Sequence, residues 1–310
     1  MTSRTKIWLI ATASILVLAA CGPKSTPTEK ATDHSNHGAM SEAEMQGMGG
    51  AASLTVASTS KVVAGQPTNL TLTLIGADGK PLGPDQIATS HENKVHVMVI
   101  DEGLDDYTHT HAQPGATPGQ WTIAVTPKLN RSYKVWADFK LVGAATQTAT
   151  DGHNHTDSKP HGHGEGHDMG AGVSLVAALP VGMEQPAAIP PTSVLSATSQ
   201  GLRATMSLGG AVKVGEAVPV SVVIADDQGQ PVKDLEPIMG AYAHLVGFPV
   251  GATTMSHAHP SGSEPKMASE RGGPALSFEL NPQSAGVNRL FLQVKRGGQV
   301  ITLPLTLVVN

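Results

Sequence analysis

One spacing of histidines occurs twice in this chain of 310 residues, and each copy reads His, twelve residues, His, one residue, His. The six members are His96, His109, His111, His244, His257 and His259. Side chains alternate between the faces of a strand, so a His-x-His pair on an extended segment places both imidazoles on one face. A third histidine from a neighbouring strand completes a three-nitrogen site, and imidazole binds zinc, copper, nickel and iron.

The residues around the two triads differ. Met255 lies two residues before His257, so a continuous strand would place a soft thioether on the same face and favour copper(I). Tyr107 takes the equivalent place in the first copy, where His91 and Glu92 are available as extra ligands. We therefore expect the two triads to differ in metal preference.

A second type of histidine pattern fills residues 151–170, which read DGHNHTDSKPHGHGEGHDMG. Its histidines are His153, His155, His161, His163 and His167. Such a tract binds metal through its composition, and binding depends on pH because each imidazole must be neutral to ligate. We expect capture of zinc or copper; the alternative is a solvated loop that binds metal only adventitiously.

The N-terminus has the pattern of an export signal. Two basic residues precede the apolar segment 7–20, which is too short to span a bilayer as a mature helix. The segment ends in Leu-Ala-Ala-Cys21, which resembles the lipobox of bacterial lipoproteins, and Gly22 follows. We expect removal of residues 1–20 and a lipid anchor in the outer membrane, facing the periplasm. The alternative is an ordinary signal peptide with a chance cysteine.

Cysteine count and charge exclude several classes of protein. Cys21 is the only cysteine, so a lipid there leaves no disulfide and no thiolate metal ligand. A blue-copper electron-transfer site needs a cysteine sulfur and is excluded, as is cysteine-based catalysis. The net charge is −5 and no Lys/Arg cluster occurs, so we expect no nucleic-acid partner.

The periodicity predicts the elements that position the histidines. Apolar residues alternate with polar or small ones at 70–74 and at 301–307, and short runs of this kind are separated by Gly, Pro and Asp. This pattern predicts an all-β sandwich. The turn Gly79–Pro81 matches Gly229–Pro231 at an offset of 150 residues, and the histidines match at 148. Offsets that change only in loops predict an internal duplication.

The predicted organisation has two tandem sandwich domains behind an export signal. It comprises a signal peptide at 1–20, the lipidated cysteine and a His/Met-containing flexible tether at 21–50, a first sandwich at 51–182 with the His-rich insert at 151–170, a Pro-rich linker at 183–198, and a second sandwich at 199–310.

One stretch of the second domain carries a family resemblance. Residues 234–246 read DLEPIMGAYAHLV and are followed by SHAHP at 256–260. Together they resemble bacterial secreted β-sandwich domains similar to YtkA-like and copper-resistance-associated periplasmic proteins. The resemblance covers most of 201–310 and, more weakly, 52–182, where GPDQI at 83–87 departs from the first element. It implies an immunoglobulin- or cupredoxin-like sandwich and a link to heavy-metal homeostasis, and it implies no activity.

Three functional hypotheses follow. The first is a lipid-anchored periplasmic protein that buffers or delivers copper or zinc, with a metal-efflux protein or a metallochaperone as candidate partner. The second is a non-catalytic Ig-like interaction or scaffolding module of the envelope with incidental histidines, since this fold class hosts many such roles. The third is a metalloenzyme, which needs an open coordination position and a general base. Glu92 or Glu236 could be that base, but nothing in the sequence fixes their geometry, so we expect no enzyme.

The lipobox prediction is tested by Cys21→Ser, which removes the thiol that would be acylated. We expect the variant to be soluble or unprocessed, whereas Ser25→Ala, four residues further on, should remain membrane-associated. Palmitate labelling and outer-membrane fractionation measure both. A Cys21→Ser protein that still incorporates palmitate and still fractionates with the outer membrane would show that the lipobox interpretation is wrong.

Overall fold

The computed structural model describes residues 52–145 and 170–310, which belong to one compact unit. Every regular element in these residues is a β-strand. The described part of the chain has no helix that is long and apolar enough to cross a membrane. The predicted signal peptide, Cys21, the tether and the five histidines of the insert lie outside the described residues.

The first sandwich consists of two antiparallel sheets. One has the order β1 (Ser53–Ser58), β2 (Thr68–Ile75), β7 (Gln120–Val125), β6 (Gln113–Pro114). The other has the order β3 (Ile87–Ala88), β8 (Tyr133–Ala145), β4 (Val95–Asp101), β5 (Tyr107–His111), and β9 (Gly170–Leu179) also pairs with β8. The His-rich insert therefore joins two neighbouring antiparallel strands, β8 and β9.

The second sandwich repeats this arrangement. One sheet has the order β10 (Ser196–Ser199), β11 (Leu202–Leu208), β12 (Val218–Asp226), β15 (Ala275–Leu280). The other has the order β14 (Ser256–Ala258), β13 (Ala243–Pro249), β16 (Gly286–Arg296), β17 (Gln299–Val309). The prediction of an all-β chain with two tandem sandwiches is confirmed.

The alternation predicted from the sequence produces the core inside each sandwich. In β2, Leu70, Leu72 and Leu74 are fully buried, whereas Thr71 and Thr73 between them are partly exposed. The leucines join a cluster that both sheets of the first sandwich supply, and a separate cluster fills the second sandwich. Each sandwich therefore has its own apolar interior, as a domain requires.

Two strands, β4 and β13, depart from this alternation because all seven residues of each are buried. Val95, Val97 and Val99 of β4 face the interior of their own sandwich. Met98 and Ile100 of β4 belong instead to a third apolar cluster. A strand that is apolar on both faces is buried on both faces. Here the interior of its own sandwich covers one face, and the other sandwich covers the second.

The third cluster joins the two sandwiches through the outer faces of their sheets. Its members are Met98, Ile100, Leu104, Tyr107, Trp136, Val246, Phe248, Ala252 and Phe291. The rings of Tyr107 and Phe291 stack across this interface, with centroids 4.5 Å apart and planes 10° from parallel. The chain has 3 Trp, 3 Tyr and 4 Phe, and four of these ten aromatic side chains lie here. The interface thus receives a large share of the bulky apolar side chains.

The predicted linker at 183–198 is more closely attached to the sandwiches than its proline content indicated. Its last residues, from Ser196, form β10, so the second sandwich begins before the predicted boundary at 199. Val194 pairs with Thr306, and Ile189 packs against the cluster between the sandwiches. The physical reason is that the backbone of Val194 pairs with β17 and the side chain of Ile189 finds apolar cover, which holds the segment against the sandwiches.

The importance of the interface is tested by Phe248→Ala, which removes a fully buried ring from the third cluster. We expect a loss of about 3–5 kcal/mol in the free energy of unfolding, because the ring leaves a cavity as well as lost contacts. The matched control Val223→Ala, at a side chain that is 46 % exposed, should cost less than about 1 kcal/mol. Urea denaturation measures both, and a cost below about 1 kcal/mol for Phe248→Ala contradicts this packing.

Candidate metal centre

The two predicted triads come together in one cluster. His96 lies on β4, while His109 and His111 lie on β5, which pairs with β4. His244 lies on β13 and His257 on β14, which pairs with β13, and His259 follows β14 directly. Because the outer faces of these sheets meet, the imidazoles of both sandwiches gather at one end of the interface. The sequence had indicated one separate site in each domain.

The nitrogens of these rings form two overlapping groups. One nitrogen from each of His244, His257 and His259 lies within 4.8 Å of the others, and this is the predicted triad of the second sandwich. The other group combines His96 and His109 with His257 of the opposite sandwich. His111 is paired with His96 instead, with 3.1 Å between His111 Nε2 and His96 Nδ1. The geometry thus leaves His111 outside the close group that contains His96 and His109, and His257 belongs to both groups.

The contact between His244 and His257 needs a cation. His257 Nδ1 lies 3.0 Å from Asp138 Oδ2, and His244 Nε2 lies 3.1 Å from the Ile238 carbonyl oxygen. A carboxylate and a carbonyl only accept, so each of these two nitrogens carries the proton and donates it. The remaining nitrogens, His257 Nε2 and His244 Nδ1, are 3.3 Å apart. In neutral rings both present a lone pair, so either a proton or a metal ion has to lie between them.

This separation suits a tetrahedral ion. Two nitrogens 3.3 Å apart, each about 2.0–2.1 Å from a shared ion, subtend roughly 105–110° at that ion. His259 supplies a third nitrogen of the same group, and its Nε2 is buried without a hydrogen-bond partner among the described residues. The three rings are therefore close enough for their nitrogens to converge on one ion.

A short turn before each central strand orients the first ring of each triad. His96 Nε2 lies 3.0 Å from the Ser90 carbonyl oxygen, as His244 Nε2 does from Ile238. Each carbonyl precedes a two-residue turn with positive φ, at His91 (48°) and Glu92 (69°), and at Met239 and Gly240. Non-glycine residues adopt this conformation at a cost of about 1 kcal/mol or more. The same backbone device thus fixes the tautomer of both rings.

The two turns also contact each other. A Cβ on Gly240 would lie 3.0 Å from the backbone of His91, and the positive φ of Gly240 (79°) also favours glycine at this approach. His91 in turn stacks on His259 with ring centroids 3.8 Å apart, and its Nδ1 is 2.8 Å from Glu264 Oε1. His91, which the sequence offered as an extra ligand, therefore lies at the edge of the cluster, against a ring of the opposite sandwich.

His109 is the least satisfied ring of the cluster. Its side chain is buried, and neither ring nitrogen has a hydrogen-bond partner among the described residues. A neutral imidazole carries one N–H donor and one acceptor, and each buried group left unpaired costs about 1–3 kcal/mol. A bound ion is one of the accepted explanations for such a group.

Burial keeps most of these rings neutral. It lowers the pKa of His96 and of His111 to about 4 and that of His244 to about 3, with nearby histidine charge as a further cause. The pKa values of His109 and His259 are also lowered, first by burial and then by neighbouring histidines. Neutral imidazole is the form that ligates, so few protons compete with a metal at neutral pH.

Asp138 is the carboxylate of the cluster that the sequence did not reveal. Burial raises its pKa, but the hydrogen bond and electrostatic interaction with His257 outweigh burial, and the pKa lies below its usual value. Ser174 Oγ donates to its other oxygen at 2.6 Å. Asp138 lies on β8 directly opposite His96 of β4. Only knowledge of the strand order could have placed it here.

Other predicted site residues lie elsewhere. Met255 packs against the apolar cluster between the sandwiches. It precedes β14, which begins at Ser256, and the inferred copper(I) preference stays a prediction. Glu236 accepts from the Gly298 N–H and pairs with Lys295 at 3.5 Å, and Glu92 is exposed. Neither glutamate is positioned as a general base at the cluster.

A cavity gives solvent access to the cluster. Its volume is about 290 Å³, and its lining includes His96, His257, His259 and Asp138. Lys140 of β8 and Gly172 of β9 lie on the same rim. An ion can therefore reach the nitrogens from the side where β8 and β9 run together.

Comparison with known families matches both sandwiches. Residues 49–155 and 197–310 match the model of a family described as a domain of unknown function, DUF8832. These stretches make up more than half of the chain, so the chain belongs to this family. They cover most of the two sandwiches, which supports the repeated domain. No curated protein matches the sequence.

The buried neutral histidines make a prediction for the metal-free protein. Unfolded histidine has a pKa of about 6.5, whereas His96, His111 and His244 titrate at about 4, 4 and 3 when folded. The unfolded chain therefore binds more protons between these limits, so stability is complete above about pH 6.5 and falls as the pH drops toward 4. Urea denaturation with a chelator at pH 7.5, 6 and 5 should show a loss of several kcal/mol, on the order of 1.4 kcal/mol per pKa unit per ring. Equal stability at pH 7.5 and 5 would contradict the burial of neutral rings.

Proposed function

We propose that this member of the family is a metal-binding protein whose histidine cluster, between the two sandwiches, holds zinc or copper. The observation that carries the proposal is the 3.3 Å contact between His244 Nδ1 and His257 Nε2. The other nitrogens of both rings are committed as donors, to Ile238 and to Asp138. In the metal-free protein a proton can occupy this contact, and a metal ion replaces it.

The ligand chemistry supports zinc or copper over harder ions. Calcium and magnesium prefer oxygen ligands, whereas imidazole suits zinc and copper. Ligating histidines usually donate their second N–H to a carboxylate or a carbonyl, which raises the basicity of the ligand nitrogen. His257 makes the first kind of contact, while His96 and His244 make the second. The cluster thus has both parts of a transition-metal site, the ligands and their supporting acceptors.

Storage or delivery fits this site better than catalysis. Neither glutamate that the sequence offered as a general base lies at the cluster, since Glu236 pairs with Lys295 and Glu92 is exposed. The lipobox-like start supports placement on the outer membrane facing the periplasm, and the composition of residues 151–170 supports capture of further ions. The resemblance to copper-resistance-associated domains adds support for copper, with an efflux protein or a metallochaperone as the recipient.

The alternative of an envelope interaction module with incidental histidines explains less. It gives no reason for burying His109 with both nitrogens unpaired. It also gives no role to the cation that the contact of His244 with His257 needs.

The proposal is tested by melting the full-length chain, stripped with a chelator, with and without zinc or copper(II). An ion present at about 100 times its dissociation constant adds roughly 2.7 kcal/mol of stability, so the melting temperature should rise. His257→Ala should remove most of the rise, and Asp138→Asn should weaken binding about 10–100-fold.

The matched control is His161→Ala, the same substitution within the His-rich insert, which should keep the rise in melting temperature. If the chain melts identically with and without metal, or if His161→Ala has the same effect as His257→Ala, the interface cluster is not the metal site. Ser174→Ala, which removes only the neutral hydrogen bond to Asp138, should weaken binding less than Asp138→Asn.

A further inference from the structure

We infer that the cluster is a two-ion centre, with one ion at the His96–His111 pair, one at the His244–His257 pair, and His109 as the bridge between them. The inference rests on the proposed metal-binding function and specifies how many ions the cluster takes and in which order.

The two nitrogen pairs have similar separations, although His111 corresponds in the repeat to His259 and not to His257. His96 Nδ1 and His111 Nε2 are 3.1 Å apart, and His244 Nδ1 and His257 Nε2 are 3.3 Å apart. With metal–nitrogen bonds of about 2.0–2.1 Å, either pair would subtend roughly 95–110° at its own ion. The Nε2–H of His96 and that of His244 each donate to a backbone carbonyl. The Nδ1 lone pair of each ring is therefore directed at the other histidine of its pair. Each pair can therefore chelate an ion independently.

One ion cannot satisfy the cluster. A tetrahedral ion takes four ligands, and six repeat histidines gather here. The two groups of close nitrogens share only His257, with His96 and His109 on one side and His244 and His259 on the other. A single ion takes one nitrogen of a ring, so one of the two buried, unpartnered nitrogens of His109 would stay unpaired, whereas two ions can take both.

His109 lies between the two pairs. Its ring centroid is 5.8 and 5.9 Å from those of His96 and His111, and 4.9 and 5.2 Å from those of His244 and His257. Both of its nitrogens are buried and without a partner among the described residues. When both nitrogens bond to ions, the single N–H proton of the neutral ring is released to solvent, and the imidazolate formed is shared by the two ions.

A sequence difference between the sandwiches makes the two positions unequal. Asp138 is opposite His96 on one sheet, and Gln293 is opposite His244 at the equivalent place on the other sheet. Asp138 contacts His257 and adds negative charge beside the His244–His257 pair. Gln293 is neutral, and its buried Oε1 has no partner among the described residues. The first ion should therefore bind at His244–His257 and the second, more weakly, at His96–His111.

The test counts copper(II) retained by the full-length chain after dialysis and compares it with the copper visible by electron paramagnetic resonance. Ions bound by the insert form a constant background. His111→Ala should retain one ion fewer than wild type, as should the volume-conserving His111→Gln, while the control Thr110→Ala, on the opposite face of β5, should match wild type. Wild type should contain copper that is silent because the two bridged ions couple. His109→Ala should make all retained copper visible.

Three outcomes separate the inference from the function on which it rests. If His257→Ala loses one ion and His111→Ala loses none, the cluster holds a single ion, and the two-ion centre is overturned while the proposed function stands. If wild type retains both ions but all of its copper is visible, His109 does not bridge them. If no cluster variant changes the copper count, both the inference and the proposed function fail.

Discussion

The packing of two sheets against each other through their outer faces is the interaction on which the candidate site depends. Val246, Phe248 and Phe291 are buried in this contact, and covering each such side chain stabilises the fold by about 1.5–3 kcal/mol. His96 and His244 lie on the same strand faces as these apolar neighbours, two residues away from Met98 and Val246. The contact that buries the apolar rings therefore also buries the imidazoles, and this burial keeps them neutral and ready to ligate.

Duplication supplies the approximate symmetry of the cluster, and side-chain differences break it. The backbone carbonyls of Ser90 and Ile238 fix the tautomers of His96 and His244 in the same way, although the two side chains are unrelated. A backbone acceptor survives any substitution that keeps the turn. Asp138 and Gln293 occupy equivalent places but differ in charge. Interactions made by the backbone thus preserve the common geometry, while those made by side chains distinguish the two halves.

The alternation of apolar and polar residues predicted the strands, and the histidine spacing predicted which imidazoles would lie close together. The contact between the sandwiches was not predicted, although β4 carried a signal for it. Its two faces are both apolar, with Val95, Val97 and Val99 on one and Met98 and Ile100 on the other, so both need cover. Asp138 could not be found because its place depends on the order of strands in a sheet. Met255 as a metal ligand stays a prediction; its side chain packs against the apolar cluster between the sandwiches, and β14 begins one residue after it.

An ion in this cluster would be bound by both halves of the molecule at once. His96 and His109 come from one sandwich and His257 from the other, and Asp138 of the first sandwich contacts His257 of the second. Metal binding and closure of the interface are thermodynamically linked. If the closed interface increases metal affinity, a bound metal stabilises the closed interface by the same free energy. Without a metal ion, a proton has to occupy the 3.3 Å contact of His244 with His257, and both nitrogens of His109 stay unpaired. The apolar contact between the sheets must offset that cost, so apolar packing holds the ligands in place before any metal arrives.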